Sequence, residues 1–140
     1  MDDRFKFRIW NNSEIHYNDF VVTATGYVGK ITEEFLGKCV FNQEDLTADK
    51  ECVLMQCTGL KDNNGKLIYE GDIINIWCLN FTKNQISEVK FCKERAAFTF
   101  DFKTDLGNIA PCTMEKTEIE VIGNIYENPE LLEVKNDRRF

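Results

Sequence analysis

The chain has 140 residues, of which 43% are hydrophobic, 12% aromatic and 29% charged, a composition typical of a folded globular domain and unlike that of a disordered chain. Its 17 basic and 24 acidic residues give a net charge of −7, which disfavours nonspecific nucleic-acid binding because phosphate neutralisation requires clustered Lys and Arg. The sequence has neither an apolar run long enough to cross a membrane nor a basic-then-apolar secretory signal at its start. We therefore expect a cytoplasmic protein without a membrane association.

Alternation of apolar and polar side chains predicts strands in the first part of the chain. Residues 5–9 alternate three apolar residues with two basic ones, as in a half-buried strand. Weaker strand candidates cover residues 15–22 and 27–31. At Thr32 the pattern changes, and Thr32 as N-cap with Gly37 as the residue after the last turn predicts a single helical turn.

The middle of the chain carries the clearest hairpin signal. A strand predicted over residues 52–58 is followed by Asp-Asn-Asn-Gly at residues 62–65, and Asn and Gly tolerate the positive φ of a tight turn. A second turn at residues 70–72 leads into a strand over residues 73–79. Further strands are predicted over residues 86–91, 97–102 and 119–126, the last with a bulge or close backbone approach at Gly123.

Near the C terminus the pattern becomes that of a short helix, with Asn128 as N-cap, Pro129 in the first position and an end at Val134. Many short strands, few helices and no alternation between the two favour a mainly β fold, a small antiparallel barrel or roll.

The polar and acidic stretch over residues 42–51, interpreted as a surface loop or short helix, is the best candidate for a boundary. We therefore predict an N-terminal β extension or small lobe over residues 1–50 and a barrel with the C-terminal helix over residues 51–140. One compact domain overall is the alternative.

Six cysteines predict neither a metal site nor a disulfide framework. No two of them have C-x-x-C spacing, and His16 is the single histidine, whereas zinc sites use closely spaced ligand pairs. Without a secretory signal, disulfides are not expected either. We interpret the cysteines as free thiols and expect no metal and no cofactor.

Three stretches resemble the YopX family of bacteriophage and prophage proteins. The central one reads MQCTGLKDNNGK at residues 55–66 and continues as IYEGDII at residues 68–74. The closing one reads VIGNIYENPELL at residues 121–132, and the opening one FKFRIW at residues 5–10. Together they span nearly the whole chain, although Cys57 stands where the family pattern leads us to expect an aromatic residue.

This resemblance implies a mainly β protein with an SH3-like barrel or roll, carried by a phage or prophage and acting in the cytoplasm of a bacterial host. It supplies no catalytic residue. The residues that it singles out are interpreted as structural turn residues, and they are Gly59, Asp62, Gly65, Glu70, Gly71, Asp72, Gly123 and Asn124.

The sequence offers no nucleophile and base at a recognisable spacing, so we expect no enzymatic activity and no small-molecule substrate. Aromatic side chains are interpreted mainly as core, with an exposed subset available for protein contacts; they include Trp77, Phe91, Phe98, Phe100 and Phe102.

The leading hypothesis is a non-enzymatic protein-interaction module that binds a protein partner or itself as a homo-oligomer. The alternative is a nucleic-acid-associated accessory protein with a local basic patch of Lys90, Lys93, Arg95 and Lys103, interrupted by Glu94 and Asp101.

Overall fold

The computed structural model describes residues 2–10, 13–17, 20–22, 28–35, 38–45, 53–77, 84–103, 109–113 and 118–137. Contacts divide the chain into two compact units, one of Met1–Lys6 with Gln56–Phe140 and one of Phe7–Met55. That residues 1–50 and 51–140 are separate domains stays a prediction. Within the described residues no helix is long and apolar enough to cross a membrane.

The unit of Phe7–Met55 is built from short antiparallel strands. Strands β1 and β2 pair with Ile9 opposite His16, and β3, β4 and β5 form a second sheet in that order. The strands are β1 (Phe7–Trp10), β2 (Ile15–His16), β3 (Phe20–Val22), β4 (Val28–Phe35) and β5 (Lys38–Asp45), and β6 (Val53–Lys61) continues from this unit into the other one.

The helical turn predicted from Thr32 is wrong over its described part. Residues 32–35 belong to β4, where Glu33 lies opposite Val40 and Phe35 opposite Lys38. A single isolated turn fixes several backbone dihedrals for one hydrogen bond, whereas pairing with β5 satisfies the backbone along the whole strand. The same pairing places residues 42–45 in a strand instead of the predicted loop or short helix.

The larger unit begins with a short 3-10 turn and ends with the helix. Its elements after β6 are β7 (Leu67–Tyr69), β8 (Asp72–Trp77), β9 (Gln85–Glu88), β10 (Lys90–Cys92), β11 (Ala97–Lys103), β12 (Ile109–Thr113), β13 (Glu118–Asn124) and α1 (Glu130–Asp137); the 3-10 turn covers Asp3–Phe5. All the strand pairs described in this unit are antiparallel. A mainly β, antiparallel architecture with a short C-terminal helix is thus confirmed.

Two three-stranded sheets organise this unit, in the orders β13-β8-β9 and β10-β11-β12. The predicted strand over residues 86–91 is divided between them at Val89, whose N–H donates to the Asp72 carbonyl at 2.9 Å and whose carbonyl accepts from the Gly71 N–H at 2.9 Å. In β13 the register shifts between Val121 and Gly123, so the predicted irregularity lies next to Gly123.

The core of this unit consists of buried branched aliphatic side chains and one buried aromatic ring. Its buried members are Ile68, Ile74, Ile76, Val89, Phe100 and Ile119, with Phe98 and Val121 packed against them. Burial of such side chains contributes about 1.5–3 kcal/mol each, so this cluster is the main source of stability on which the surrounding turns are built.

Candidate functional site

The carboxylate of Asp62, at the turn between β6 and β7, accepts three backbone hydrogen bonds. Its Oδ1 accepts hydrogen bonds from the N–H groups of Asn64 and Lys66, at 2.9 and 2.8 Å. Its Oδ2 accepts one from the Val121 N–H in β13, at 3.0 Å. Burial of Asp62 would raise the pKa of its carboxyl, but the three backbone donors outweigh burial and hold the pKa below its usual value.

Backbone hydrogen bonds close the same turn and join it to β13. The Asp62 N–H donates to the Lys66 carbonyl at 2.8 Å, and the Gly65 N–H donates to the Asp62 carbonyl at 3.0 Å. The Asn63 N–H donates to the Ile119 carbonyl at 2.9 Å. We call residues 62–66 with these bonds the Asp62 cradle; it fastens the β6–β7 hairpin to the C-terminal strand.

The second motif turn uses a buried carboxylate in the same way. Asp72 is 1% exposed, and its Oδ2 accepts the Tyr69 N–H at 2.8 Å. Gly71 is also buried. Its carbonyl accepts the Ile125 N–H at 2.9 Å, and its N–H donates to the Val89 carbonyl. This turn therefore links β8 to the segment that follows β13.

Glu70 and Gly59 each make a contact at the β6–β7 hairpin. The Glu70 N–H donates to the Gln56 carbonyl at 2.9 Å. A Cβ placed on Gly59 would collide with Cγ of Arg4, so the Arg4 side chain lies directly against this residue. The thiol of Cys57 is buried, which raises its pKa, and its Sγ accepts the Gly59 N–H at 3.5 Å.

Asn124 organises the turn after β13. Its Oδ1 accepts the N–H groups of Tyr126 and Glu127, at 3.1 and 2.9 Å, and its Nδ2 donates to the Glu127 carboxylate at 2.8 Å. The Asn128 side chain, predicted as a helix N-cap, is directed back to the Asn124 N–H at 3.3 Å, and the helix begins at Glu130. The Asn124 side chain therefore bonds Tyr126 and Glu127, while the Asn128 side chain accepts the backbone N–H of Asn124.

That the four basic candidates form one patch stays a prediction, because the Lys103 side chain is outside what the structure describes. Lys93 and Arg95 lie in the turn between β10 and β11, while Lys103 ends β11. The seven residues of β11 from Ala97 to Lys103 span about 20 Å. The ammonium of Lys90 is 3.8 Å from the Glu88 carboxylate, so the charge of Lys90 has an acidic neighbour.

A pair of aromatic rings, one exposed and one half-buried, lies on the β10–β11 hairpin. The rings of Phe91 and Phe98 meet edge to face with centroids 5.3 Å apart, and Phe98 packs against the core. Phe91 is 45% exposed, Trp77 is exposed at the end of β8, and Phe100 is buried; the Phe102 side chain lies outside the described residues. We call Phe91 and Phe98 the aromatic pair.

The environment of Glu88, on β9, was not evident from the sequence. Burial raises the pKa of Glu88, and Asp101 and Glu70 raise it further, whereas Lys90 lowers it. A single acidic residue in an alternating strand is ordinarily placed in solvent, so only the pairing of strands distant in the chain reveals that it is half-buried.

No group of His, Cys, Asp and Glu able to hold a metal ion occurs among the residues that the structure describes. The side chains of the motifs order the backbone. Asp62, Asp72 and Asn124 each accept main-chain N–H groups with a side-chain oxygen. This defines a class of antiparallel β protein in which the distinctive sequence motifs are turn-forming.

Comparison with known proteins places the chain within that class. The family model described as YopX protein matches residues 6–133, and the chain therefore belongs to the YopX family. The three resembling stretches of the sequence fall almost entirely within this match, so the predicted resemblance is confirmed.

Individual relatives agree with the family assignment. The chain is 28% identical over 137 residues to the SPbeta prophage-derived uncharacterized protein YopX of Bacillus subtilis (strain 168), a match to 91% of this chain and 95% of that protein. The crystal structure of YopX from Bacillus subtilis is similar with a TM-score of 0.63 and 25% identity, covering 91% of this chain and 98% of that one. A crystal structure of a protein from Enterococcus faecalis is similar with a TM-score of 0.58 and 28% identity, covering 91% and 96%.

Proposed function

We propose that this protein is a non-enzymatic interaction module that binds another protein, or a second copy of itself, through the aromatic pair on the β10–β11 hairpin. It acts in the cytoplasm of a bacterial host, and a phage or prophage encodes it. The larger unit would use an SH3-like roll as the rigid support for this hairpin.

The exposure of Phe91 carries the proposal. A ring that is 45% exposed costs hydration free energy in the isolated protein, and aromatic anchors supply much of the binding energy of protein interfaces. Phe91 rests edge-on against Phe98, which packs on the core. A partner would therefore meet a ring whose orientation is already supported, which lowers the entropy lost on binding.

The use of the motif carboxylates supports a non-enzymatic role. Both oxygens of Asp62 accept backbone N–H groups, and an Asp72 oxygen accepts another. A general base needs a carboxylate that can reach the proton of a substrate, and the backbone N–H groups hold the pKa of Asp62 below its usual value, which makes it a weaker base.

Leu60 provides a matched control for testing the aromatic pair, because it is also 45% exposed and lies in the same unit. A photo-crosslinking amino acid would replace Phe91 in one variant and Leu60 in another, each produced in bacterial cells carrying the related prophage. We expect a crosslinked adduct from position 91 and none from position 60, with the adduct mass separating a partner protein from a second copy. No adduct at 91, or equal adducts at both positions, would contradict the proposal.

A second candidate function, nucleic-acid binding, is favoured by one observation: Lys93 and Arg95 are exposed in the turn that joins the strands of the aromatic pair. Stacking rings next to cations are how single-stranded nucleic acids are bound without sequence preference. Single-strand binding that weakens steeply with added salt and is lost in Lys93→Ala/Arg95→Ala would support this function in place of the first.

A further inference from the structure

The tip of the β6–β7 hairpin contains the one Asn–Gly pair of the sequence, Asn64–Gly65. Both residues are exposed, so water reaches them. Gly65 has φ +81°, and no heavy atom lies within 4 Å of the position that a Cβ would occupy. Residue 65 therefore carries no side chain, and the space that one would occupy is open. Asparagine is a chemically labile residue, and a following glycine places no side chain in the way of its side-chain amide.

We propose that Asn64 is a spontaneous deamidation site and that its conversion loosens the Asp62 cradle. In the first step the Gly65 backbone nitrogen attacks the side-chain carbonyl carbon of Asn64. A bond forms between this nitrogen and Cγ, the Cγ–Nδ2 bond breaks, and ammonia leaves with the proton that the Gly65 nitrogen loses. In the second step water opens the cyclic imide. Attack at Cγ gives Asp, and attack at the main-chain carbonyl gives isoaspartate.

Asp62 controls how readily the first step occurs in the folded protein. The Gly65 N–H donates to the Asp62 carbonyl at 3.0 Å, and the Asn64 N–H donates to Asp62 Oδ1 at 2.9 Å. The attacking nitrogen must leave its hydrogen bond before it can reach Cγ, so local opening of the turn precedes the reaction. Deamidation is consequently slower in the folded chain than in the unfolded chain.

The product alters the hydrogen bonds that join the hairpin to β13. Isoaspartate routes the main chain through Cβ and adds one carbon to the loop closed by the Asp62 N–H and the Lys66 carbonyl. It also adds a carboxylate beside Asp62, and like charges repel. Because Asp62 Oδ2 accepts the Val121 N–H at 3.0 Å, this disturbance extends to β13.

The test is incubation of the whole folded chain at mildly alkaline pH, with the urea-unfolded chain as reference. Isoaspartate is measured by mass spectrometry and by enzymatic methylation of the peptide covering residues 62–66. We expect isoaspartate at residue 64, more slowly in the folded chain, lost in Asn64→Gln and retained in Asn63→Gln. Asp62→Ala should bring the folded rate toward the unfolded one.

Two results would overturn the proposal. One is folded protein without isoaspartate at residue 64 after the unfolded chain has been fully converted. The other is unchanged hydrogen exchange of the Val121 N–H in the purified isoaspartate form, because the proposal requires faster exchange there than in fresh protein. Asn64→Gln supplies the control for this exchange measurement, since it keeps a similar side chain but does not form the five-membered imide.

Discussion

The Oδ2 atom of Asp62 accepts a hydrogen bond of 3.0 Å from the backbone N–H of Val121, 59 positions further along the chain. One carboxylate thereby orders its own turn through Oδ1 and a distant strand through Oδ2. The bond to Val121 lies beside the register shift of β13, where regular strand pairing is interrupted. Asp62 therefore accepts the Val121 N–H at a point where the pairing of β13 with β8 is irregular.

Replacing Asp62 with Ala should lower the free energy of unfolding by about 2–3 kcal/mol, since it removes a charged acceptor from three backbone donors of which one lies in β13. Urea denaturation followed by circular dichroism measures the change. Glu94→Ala is the control, because Glu94 is exposed in a surface turn and its replacement should change stability by less than about 0.5 kcal/mol. Equal stability of the two variants would contradict the role given to Asp62.

Asp62 should also contribute to acid unfolding. Its folded pKa lies below the ordinary value, so the ionised carboxylate stabilises the fold above the unfolded pKa of about 4 and this contribution is lost as pH falls through the folded pKa. In Asp62→Asn the loss of stability between neutral pH and strongly acidic pH should be smaller than in the unmodified chain. Denaturation midpoints measured across this pH range test the prediction, and parallel profiles would refute it.

Glu88 should show the opposite dependence. Burial raises its pKa in the folded state, so the folded protein holds the proton more tightly than the unfolded chain does, and stability falls as pH rises from about 4 through the folded pKa. Glu88→Gln should therefore gain stability relative to the unmodified chain as pH rises over that interval. Glu94→Gln is the control, because the pKa of Glu94 is lowered and its replacement should give no such gain.

Gly59 and Gly65 form a natural comparison, because their φ angles are +82° and +81° while only Gly59 lies against Arg4. Gly65→Ala should cost about 1–2 kcal/mol from the left-handed backbone alone. Gly59→Ala should cost more, since Arg4 must also move and its ion pair with Asp2, at 2.7 Å, is disturbed. In an Arg4→Ala background the excess cost should disappear, which a double-mutant cycle of unfolding free energies measures. An excess that persists would place the obstruction elsewhere.

Local chemistry explains which parts of this fold could be predicted. The β6–β7 hairpin follows from the Asn64–Gly65 turn signal, in which Gly65 takes the positive φ, and the strands on either side pair as predicted. The extended conformation of residues 32–35 was not predictable from Thr32 and Gly37, because pairing with β5 overrides local helix signals. The interruption at Val89 was equally hidden, since its partners Gly71 and Asp72 are distant in the chain.

The candidate site likewise has features that the sequence predicts and features that it does not. That Asp72 would serve a turn follows from its place after Gly71, and its oxygen does accept a backbone N–H. The patch that joins Lys103 to Lys93 stays a prediction; Lys93 lies before β11 and Lys103 ends it. Alternation alone could not distinguish exposed Phe91 from buried Phe100, because the difference depends on how far each ring lies from the middle of the packed sheets.

At the junction formed by Val89, the number of residues matters more than which apolar residue is present. It is the single residue between β9, whose Glu88 lies opposite Ile73, and β10, whose Lys90 lies opposite Thr99. Because neighbouring side chains of a strand point to opposite faces, adding or deleting one residue here would reverse the facing of every β10 side chain. In the evolution of such a protein, this junction should accept exchanges of apolar residues but not insertions or deletions.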